Sequence, residues 1–138
     1  MTLRLAEVLI LCGAAIVASC SGRQLQETRS PKAQKQLAEA LAGRTPGPPL
    51  RCIRNYQSNQ MQVIDDWAIL FRDGRTIYLQ NPRGGCPGLG NGSRALVTRQ
   101  IGTNDLCSGD FNLMVDLVSK SPGGPCIFGP FVPYTKPN

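Results

Sequence analysis

Carboxylates are the first side chains to consider for catalysis in this chain, because it contains no histidine. Asp65 and Asp66 form the one adjacent pair of carboxylates in the sequence. General acid–base catalysis needs two groups that face one substrate, whereas neighbouring residues of a strand point to opposite faces of a sheet. A two-residue turn between strands explains the pair without any reaction. We therefore interpret Asp65 and Asp66 as turn residues.

Nucleophilic catalysis finds little support in the residue types. A serine or cysteine nucleophile usually needs a neighbouring base, most often histidine. Ser119-Lys120 is an adjacent pair in a turn-like stretch, and no C-x-x-C motif is present. The sequence therefore predicts no catalytic residue and no cofactor, and we expect the protein not to be an enzyme.

A glycine-rich segment at residues 84–92 could bind an anion through its backbone N–H groups. The residues of this candidate site are Arg83, Gly84, Gly85, Gly88 and Arg94. The segment is not a nucleotide-binding loop, because no Gly-Lys-Ser/Thr closes it and no helical pattern follows it. A long loop held by a disulfide at Cys86 explains the same composition.

The first 19 residues have the pattern of an export signal. Arg4 precedes an apolar run over residues 8–18, which is shorter than the roughly 20 apolar residues that a membrane-spanning helix needs. We predict that residues 1–19 are a leader that is removed. The alternative is an uncleaved membrane anchor.

Val17-Ala18-Ser19-Cys20 is similar to the lipobox of bacterial lipoproteins, in which small residues precede a cysteine that is acylated after cleavage. We predict lipid attachment at Cys20, with the protein held on the periplasmic side of the envelope. Ser21 follows the cysteine in place of aspartate, which favours the outer membrane over the inner one. Ordinary cleavage after Ser19, leaving a soluble chain with a free thiol, is the alternative.

Four cysteines remain after the leader and the lipidated residue: Cys52, Cys86, Cys107 and Cys126. Export would place them in an oxidising compartment, so we predict two disulfides. Three pairings are possible and the sequence does not choose among them; we predict the nested arrangement Cys86–Cys107 and Cys52–Cys126. A zinc site would require closely spaced ligand pairs, which these cysteines lack, so no metal is predicted.

The chain is basic, with 15 Lys and Arg against 9 Asp and Glu and a net charge of +6. Loss of Arg4 and Glu7 with the leader leaves the net charge unchanged. A basic surface can favour nucleic acid, anionic lipid or acidic glycan, but no run of five or six basic residues occurs here. For an exported chain we exclude nucleic acid and expect a solvated surface near an anionic membrane.

A polar tether at residues 20–29 leads into a predicted helix over residues 30–43. Ser30 is a good N-cap, Pro31 suits the first helical position, and Gly43 ends a run of strong helix formers. The apolar residues recur at every fourth position, at Ala33, Leu37 and Leu41. This narrow stripe predicts packing against the rest of the domain.

Residues 44–138 have the pattern of a β-rich domain. Asp73-Gly74 predicts a two-residue type I′ hairpin turn, and a fourth strand is expected over residues 94–101. Pro130 and Pro133 predict that the last strand lies at a sheet edge. Short strands separated by turns indicate a mainly β fold: a small antiparallel barrel or sandwich, preceded by one short α-helix and held by two disulfides.

Five segments resemble, in matching order, a family of small exported α-proteobacterial proteins of unknown function. They are residues 41–53, 63–70, 95–99, 106–110 and 129–134. The resemblance implies a secreted β-rich domain with a preceding helix, and it implies no activity and no catalytic residue.

Together these features predict an envelope lipoprotein that is a non-enzymatic binding or structural module. It would contact the membrane through its lipid and bind a protein or glycan partner that the sequence does not identify. One alternative is a secreted inhibitor of a hydrolase, although the +6 charge argues against basic lysozyme as its target. Another is a hydrolase with a histidine-free site, for which a deep pocket lined by several of Asp65, Asp110, Asp116 and Lys120 would be the sign.

Overall fold

The computed structural model describes residues 29–54, 60–99, 102 and 104–138. The predicted leader, Cys20 and most of the predicted tether lie outside these residues. The described chain forms one helix and ten strands: α1 (Pro31–Leu41), β1 (Thr45–Pro46), β2 (Cys52–Arg54), β3 (Met61–Asp65), β4 (Ala68–Asp73), β5 (Thr76–Gln80), β6 (Arg94–Val97), β7 (Asp105–Cys107), β8 (Phe111–Asp116), β9 (Pro122–Ile127) and β10 (Phe131–Thr135).

The strands form three antiparallel sheets. Their orders are β1-β10-β5-β4-β3, β2-β7 and β6-β8-β9. The mainly β prediction with one preceding helix is confirmed. The sheets remain open and do not close into a barrel, so the barrel form of the prediction is wrong.

The five-stranded sheet is covered on both faces, as the burial of β4 shows. Its run Ala68-Ile69-Leu70-Phe71 is buried throughout, because successive side chains of a strand point to opposite faces. Ala68 and Leu70 belong to a core shared with the helix. Ile69 and Phe71 belong to a larger core shared with the two smaller sheets.

Helix α1 has the predicted start, end and packing face. The Ser30 hydroxyl accepts a hydrogen bond of 3.2 Å from the backbone N–H of Ala33, and Pro31 opens the helix. Gly43 follows the helix with φ +66°, a conformation that glycine adopts without strain. The buried Ala33, with Leu37 and Leu41 beside it, packs against the five-stranded sheet.

The ends of several strands differ from the sequence prediction. The hairpin between β4 and β5 turns at Gly74-Arg75, one residue later than predicted, with positive φ at Gly74 alone. That pattern fits a type II′ turn, which needs glycine only at its first central position. The predicted strand over residues 94–101 ends at Val97 within the described chain.

Pro130 and Pro133 predict an edge position for the last strand, and this prediction is wrong. β10 lies between β1 and β5, and Pro133 is paired with Tyr78. The Pro133 carbonyl accepts a hydrogen bond of 2.8 Å from Gly47 on the β1 side. Because the N and C=O of one residue face the same neighbour, the donor that proline lacks faces the short β1 side and removes no bond to β5.

Two disulfides are present as predicted, but their pairing is Cys52–Cys107 and Cys86–Cys126. The predicted pairs Cys86–Cys107 and Cys52–Cys126 are wrong. β2 pairs with β7, and this register sets Cys52 directly opposite Cys107. Cys86 instead meets Cys126 of β9 in the larger core, where both are fully buried.

Candidate functional site

The glycine-rich segment closes around a carboxylate of the protein itself. Asp66 Oδ1 accepts a hydrogen bond of 2.7 Å from the N–H of Gly90, and Asp66 Oδ2 accepts one of 3.3 Å from the N–H of Gly88. The Asp66 carbonyl accepts a third, of 2.7 Å, from the N–H of Cys86. Two N–H groups of the loop that could bind an external anion therefore already donate to the carboxylate of Asp66.

The remaining residues of the predicted anion site contact different partners. Gly85 lies against the Trp67 ring, at a position where an added Cβ would be 3.0 Å from ring atoms. Arg94 Nη1 donates to the Pro87 carbonyl at 3.1 Å. Arg83 Nη2 instead donates to the Ser108 hydroxyl at 3.3 Å, outside the loop. Gly84, also at positive φ, has open space where its Cβ would lie.

Asp65 has a structural role beside that of Asp66. It ends β3, and the turn itself falls at Asp66-Trp67, one residue later than predicted. Asp65 Oδ1 accepts a hydrogen bond of 2.8 Å from the N–H of Trp67, and Oδ2 accepts one of 2.5 Å from Arg29 Nε. Both oxygens are thus engaged, and the pair with Arg29 connects the chain entering α1 to the end of β3.

A cleft of about 420 Å³ lies between the start of α1 and the β3–β4 turn. Asp65 and Asp66 line it, together with Trp67, Gly90 and the residues around Arg29. It does not include Asp110, Asp116 or Lys120, which with Asp65 were the candidate residues of a histidine-free hydrolase. The structure therefore does not bring those four residues into one pocket.

Asp110 and Asp116 lie at opposite ends of β8 and both accept backbone hydrogen bonds. Asp110 Oδ2 accepts from the N–H of Cys107 at 2.7 Å. Asp116 Oδ1 accepts from Val118 and Ser119 at 2.9 and 2.8 Å and shapes the β8–β9 turn. Lys120, in that turn, donates from Nζ to the Leu117 carbonyl at 2.6 Å.

Two groups of the described chain have shifted pKa values, and both shifts move away from neutral pH. Hydrogen bonds from the backbone of Ser119 and then Val118 lower the pKa of Asp116. Burial, followed by repulsion from the Asp73 charge, raises the pKa of Tyr78. An efficient general acid or base has a pKa near the working pH, so neither group is suited to that role at pH 7.

A second groove, of about 480 Å³, contains two arginines. It is lined by Pro49, Leu50, Arg51, Arg83, Ser108 and Pro130. No carboxylate of the described residues forms an ion pair with Arg51 or Arg83. We call this feature the arginine groove.

The arginine groove is not predicted from the sequence, because its residues come from four separate segments. The β2–β7 pairing and the bridge between Leu50 and Phe131 bring these segments together. The correct cysteine pairing would have indicated part of the groove. A bond between Cys52 and Cys107 brings their neighbours Arg51 and Ser108 close together.

The outer face of the β6-β8-β9 sheet exposes apolar side chains. Phe111 is 71% exposed, and Val97 lies directly opposite Leu113, both with more than two fifths of their surface exposed. The turn after β8 carries Leu117 and Val118, and Val118 is 91% exposed. Bonds to Asp116 fix this turn, so Val118 projects from an ordered backbone.

Neither a metal centre nor a membrane-spanning helix is found in the described part of the chain. No group of three or more Cys, Asp or Glu side chains there is arranged to hold a metal ion. The described residues also contain no helix with the length and apolar character needed to cross a bilayer.

Comparisons with known proteins give no match. The sequence fits no protein-family model, and neither a curated protein nor a solved structure is significantly similar to it. The resemblance to small exported α-proteobacterial proteins accordingly stays a prediction.

Proposed function

We propose that this protein is a lipid-anchored, non-enzymatic binding module of the bacterial cell envelope. One observation carries the non-enzymatic part of the proposal: the carboxylates that could act as acids or bases are used as structural acceptors. Asp65, Asp66, Asp110 and Asp116 each accept hydrogen bonds from backbone N–H groups, and only the first two of them lie in the same cleft. The arginine groove instead holds two arginines with no ion pair among the described residues, as suits a binding surface.

The anchoring part of the proposal is supported by the Val17–Cys20 motif and by its distance along the chain from the first described contact. Arg29 is paired with Asp65, and eight residues, 21–28, lie between the predicted acylated cysteine and Arg29. An extended chain of that length spans at most about 30 Å. With two or more acyl chains on Cys20, membrane binding would be firm and the domain would stay close to the bilayer.

Intact mass of the protein extracted from membranes with detergent tests this proposal. We expect loss of residues 1–19, a mass increase from acyl chains on Cys20, and no alkylation of the other four mature cysteines without reductant. Cys20→Ser should abolish acylation, whereas the matched variant Cys12→Ser, which lies in the leader, should leave the mature mass unchanged. A full-length, unacylated chain in the soluble fraction, with reactive cysteines, would contradict the proposal.

The membrane of residence follows from the residue after the cysteine. With Ser21 we expect the protein in the outer-membrane fraction of a density gradient. Ser21→Asp should move it to the inner-membrane fraction, with the same intact-mass modification at Cys20. An unchanged distribution would contradict outer-membrane sorting while leaving the anchor itself intact.

Inhibition of an acidic hydrolase is a second candidate function, favoured by the exposed and ordered turn at Leu117-Val118. A preorganised loop loses little conformational entropy on binding, and the net charge of +6 favours an acidic enzyme as the target. In an inhibition assay against acidic secreted hydrolases, Val118→Asp should abolish inhibition, and Val97→Asp, elsewhere on the apolar face, should not. Equal loss in both variants would contradict a role for the turn.

A further inference from the structure

The arginine groove has the composition of a binding site for a phosphate group attached to an apolar body. Its charged part consists of two guanidinium groups, Arg51 and Arg83, and the hydroxyl of Ser108. Its apolar part consists of Pro49, Leu50 and Pro130. The described residues place no carboxylate in its lining, so the positive charge of the groove is not neutralised from within it.

Two backbone hydrogen bonds and a disulfide hold the chain segments that carry the polar residues of the groove. The N–H of Ser108 donates to the Arg51 carbonyl at 2.7 Å, beside the Cys52–Cys107 disulfide. The N–H of Arg83 donates to the Ile127 carbonyl at 2.8 Å. These bonds hold the Cα positions of the two arginines and the serine in a constant relation, whatever rotamers the long side chains adopt.

The apolar wall is fixed as well. Leu50 exchanges two backbone hydrogen bonds with Phe131, of 2.8 and 2.9 Å, so Pro49 and Leu50 are held against the start of β10. Pro130 immediately precedes that strand. Leu50 remains 38% exposed, which leaves apolar surface available beside the charged groups.

The nearest carboxylate along the chain does not compete for the arginines. Asp110, two residues after Ser108, directs Oδ2 to the N–H of Cys107 at 2.7 Å. Arg83 Nη2 contacts the Ser108 hydroxyl at 3.3 Å. A guanidinium fork in this position matches two oxygens of a phosphate, and a neighbouring hydroxyl can donate to a third.

From this arrangement we infer that the arginine groove binds the phosphate of an alkyl phosphate ester, with Arg51, Arg83 and Ser108 on the phosphate oxygens and Pro49, Leu50 and Pro130 on the alkyl part. The ester could be a soluble molecule or the headgroup end of an anionic phospholipid. The inference goes beyond the proposed function and does not depend on acylation of Cys20.

Calorimetric titration of the full protein, as cells process it and in a neutral detergent, tests the site with hexyl phosphate. We expect submillimolar binding at low salt that weakens at least tenfold in 0.5 M NaCl. Arg51→Gln and Arg83→Gln should each weaken binding at least fivefold, and Ser108→Ala two- to threefold. Arg72→Gln, a matched change at an exposed arginine outside the groove, should have no effect.

Four further measurements serve as controls for the titration. Hexanol should not bind, and inorganic phosphate should bind at least fivefold more weakly than hexyl phosphate, because only the ester uses the apolar wall. Circular dichroism and cysteine alkylation should show that each variant is folded with both disulfides. Binding that persists in the two arginine variants, that is lost in Arg72→Gln, or that is equal for hexanol would overturn the inference.

The source of the phosphate is decided by a soluble short-chain lipid. If dihexanoyl phosphatidic acid binds at least tenfold more tightly than hexyl phosphate, through the same arginines, the ligand is a lipid headgroup. If the two bind equally, the ligand is a soluble ester. Failure of the intact-mass experiment would leave this titration unaffected, so the two proposals can fail separately.

Discussion

The two disulfides of this protein close loops of similar length in opposite surroundings. Cys86–Cys126 is fully buried in the larger core, whereas Cys52 is exposed and Cys107 half-buried on the two-stranded sheet. Their sequence separations are 40 and 55 residues. In the chain-entropy description each contributes about 4 kcal/mol by restricting the unfolded chain. Loop closure therefore does not distinguish them, and their difference must come from the folded state.

That difference separates two regions with different roles. Around Cys86–Cys126 the side chains fill space between layers, and Phe71, Phe128 and Phe131 pack edge to face with ring centroids 5.8 to 6.1 Å apart. Around Cys52–Cys107 the bond joins two three-residue strands, next to which lie Arg51 and Ser108 of the arginine groove. In the first region, buried packing adds to the effect of loop closure. In the second, exposure leaves the proposed binding groove open to solvent.

Removal of each disulfide tests this contrast most strongly. Cys86→Ala with Cys126→Ala should lower the free energy of unfolding by about 5 to 6 kcal/mol, because lost core packing adds to lost loop closure. Cys52→Ala with Cys107→Ala should lower it by about 4 kcal/mol, close to the entropic value alone. Urea unfolding of both pairs of variants measures the difference. Equal losses would show that burial of the first disulfide adds nothing.

Two phenylalanines extend the comparison without changing any crosslink. Phe128 is fully buried, so Phe128→Ala should cost about 3 to 5 kcal/mol. Phe111 lies on the exposed sheet face, so Phe111→Ala should lower the free energy of unfolding by less than about 0.5 kcal/mol. Thermal and urea unfolding give both values. A large loss for Phe111→Ala would mean that the apolar face is covered in the folded protein.

The glycine loop provides the next test, because Cys86 and Asp66 both hold it. A Cβ at Gly90 would lie 2.7 Å from Asp65 Cα and 2.8 Å from Asp66 N, and backbone atoms cannot easily move away. Gly90→Ala should therefore destabilise the protein by about 1 to 3 kcal/mol. Gly124→Ala is the matched control, since its Cβ meets nothing within 4 Å and its φ is not positive. A loss in Gly124→Ala as large as in Gly90→Ala would argue against the close approach to Asp66.

Local signals in the sequence predict some elements of the fold better than they predict either disulfide region. The helix follows from Ser30, Pro31 and Gly43, whose effects act within one turn. The Asp73-Gly74 signal likewise predicts the hairpin between β4 and β5, although its turn lies one residue later. The number of disulfides follows from the cysteine count and the predicted compartment.

The disulfide pairing and the arginine groove could not be predicted, because both depend on which short strands pair. β2 and β7 have three residues each, so their pairing is decided by the sum of distant contacts. The role of Asp66 is hidden for the same reason: a carboxylate 22 residues before Gly88 becomes the anion that the loop surrounds. A sequence pattern shows that N–H groups can bind an anion but not that the chain supplies one.

The smallest expected effect concerns Asp116, a half-buried residue whose carboxylate accepts the hydrogen bonds that fix the turn carrying Val118. Hydrogen bonds from Ser119 and Val118 favour its charged form, so its pKa is lower in the folded than in the unfolded chain. Its contribution to stability is therefore complete above the unfolded-state pKa of about 3.9 and is lost as the pH falls through the lower folded value. In Asp116→Asn the stability difference from wild type should shrink as the pH falls below about 4.

Carboxyl NMR titration measures the pKa of Asp116, and acid unfolding measures the stability difference. Glu39→Gln, on the exposed side of α1, is the control. If the stability difference stays constant from pH 7 to pH 2, then backbone geometry, and not the charge of Asp116, orders this turn.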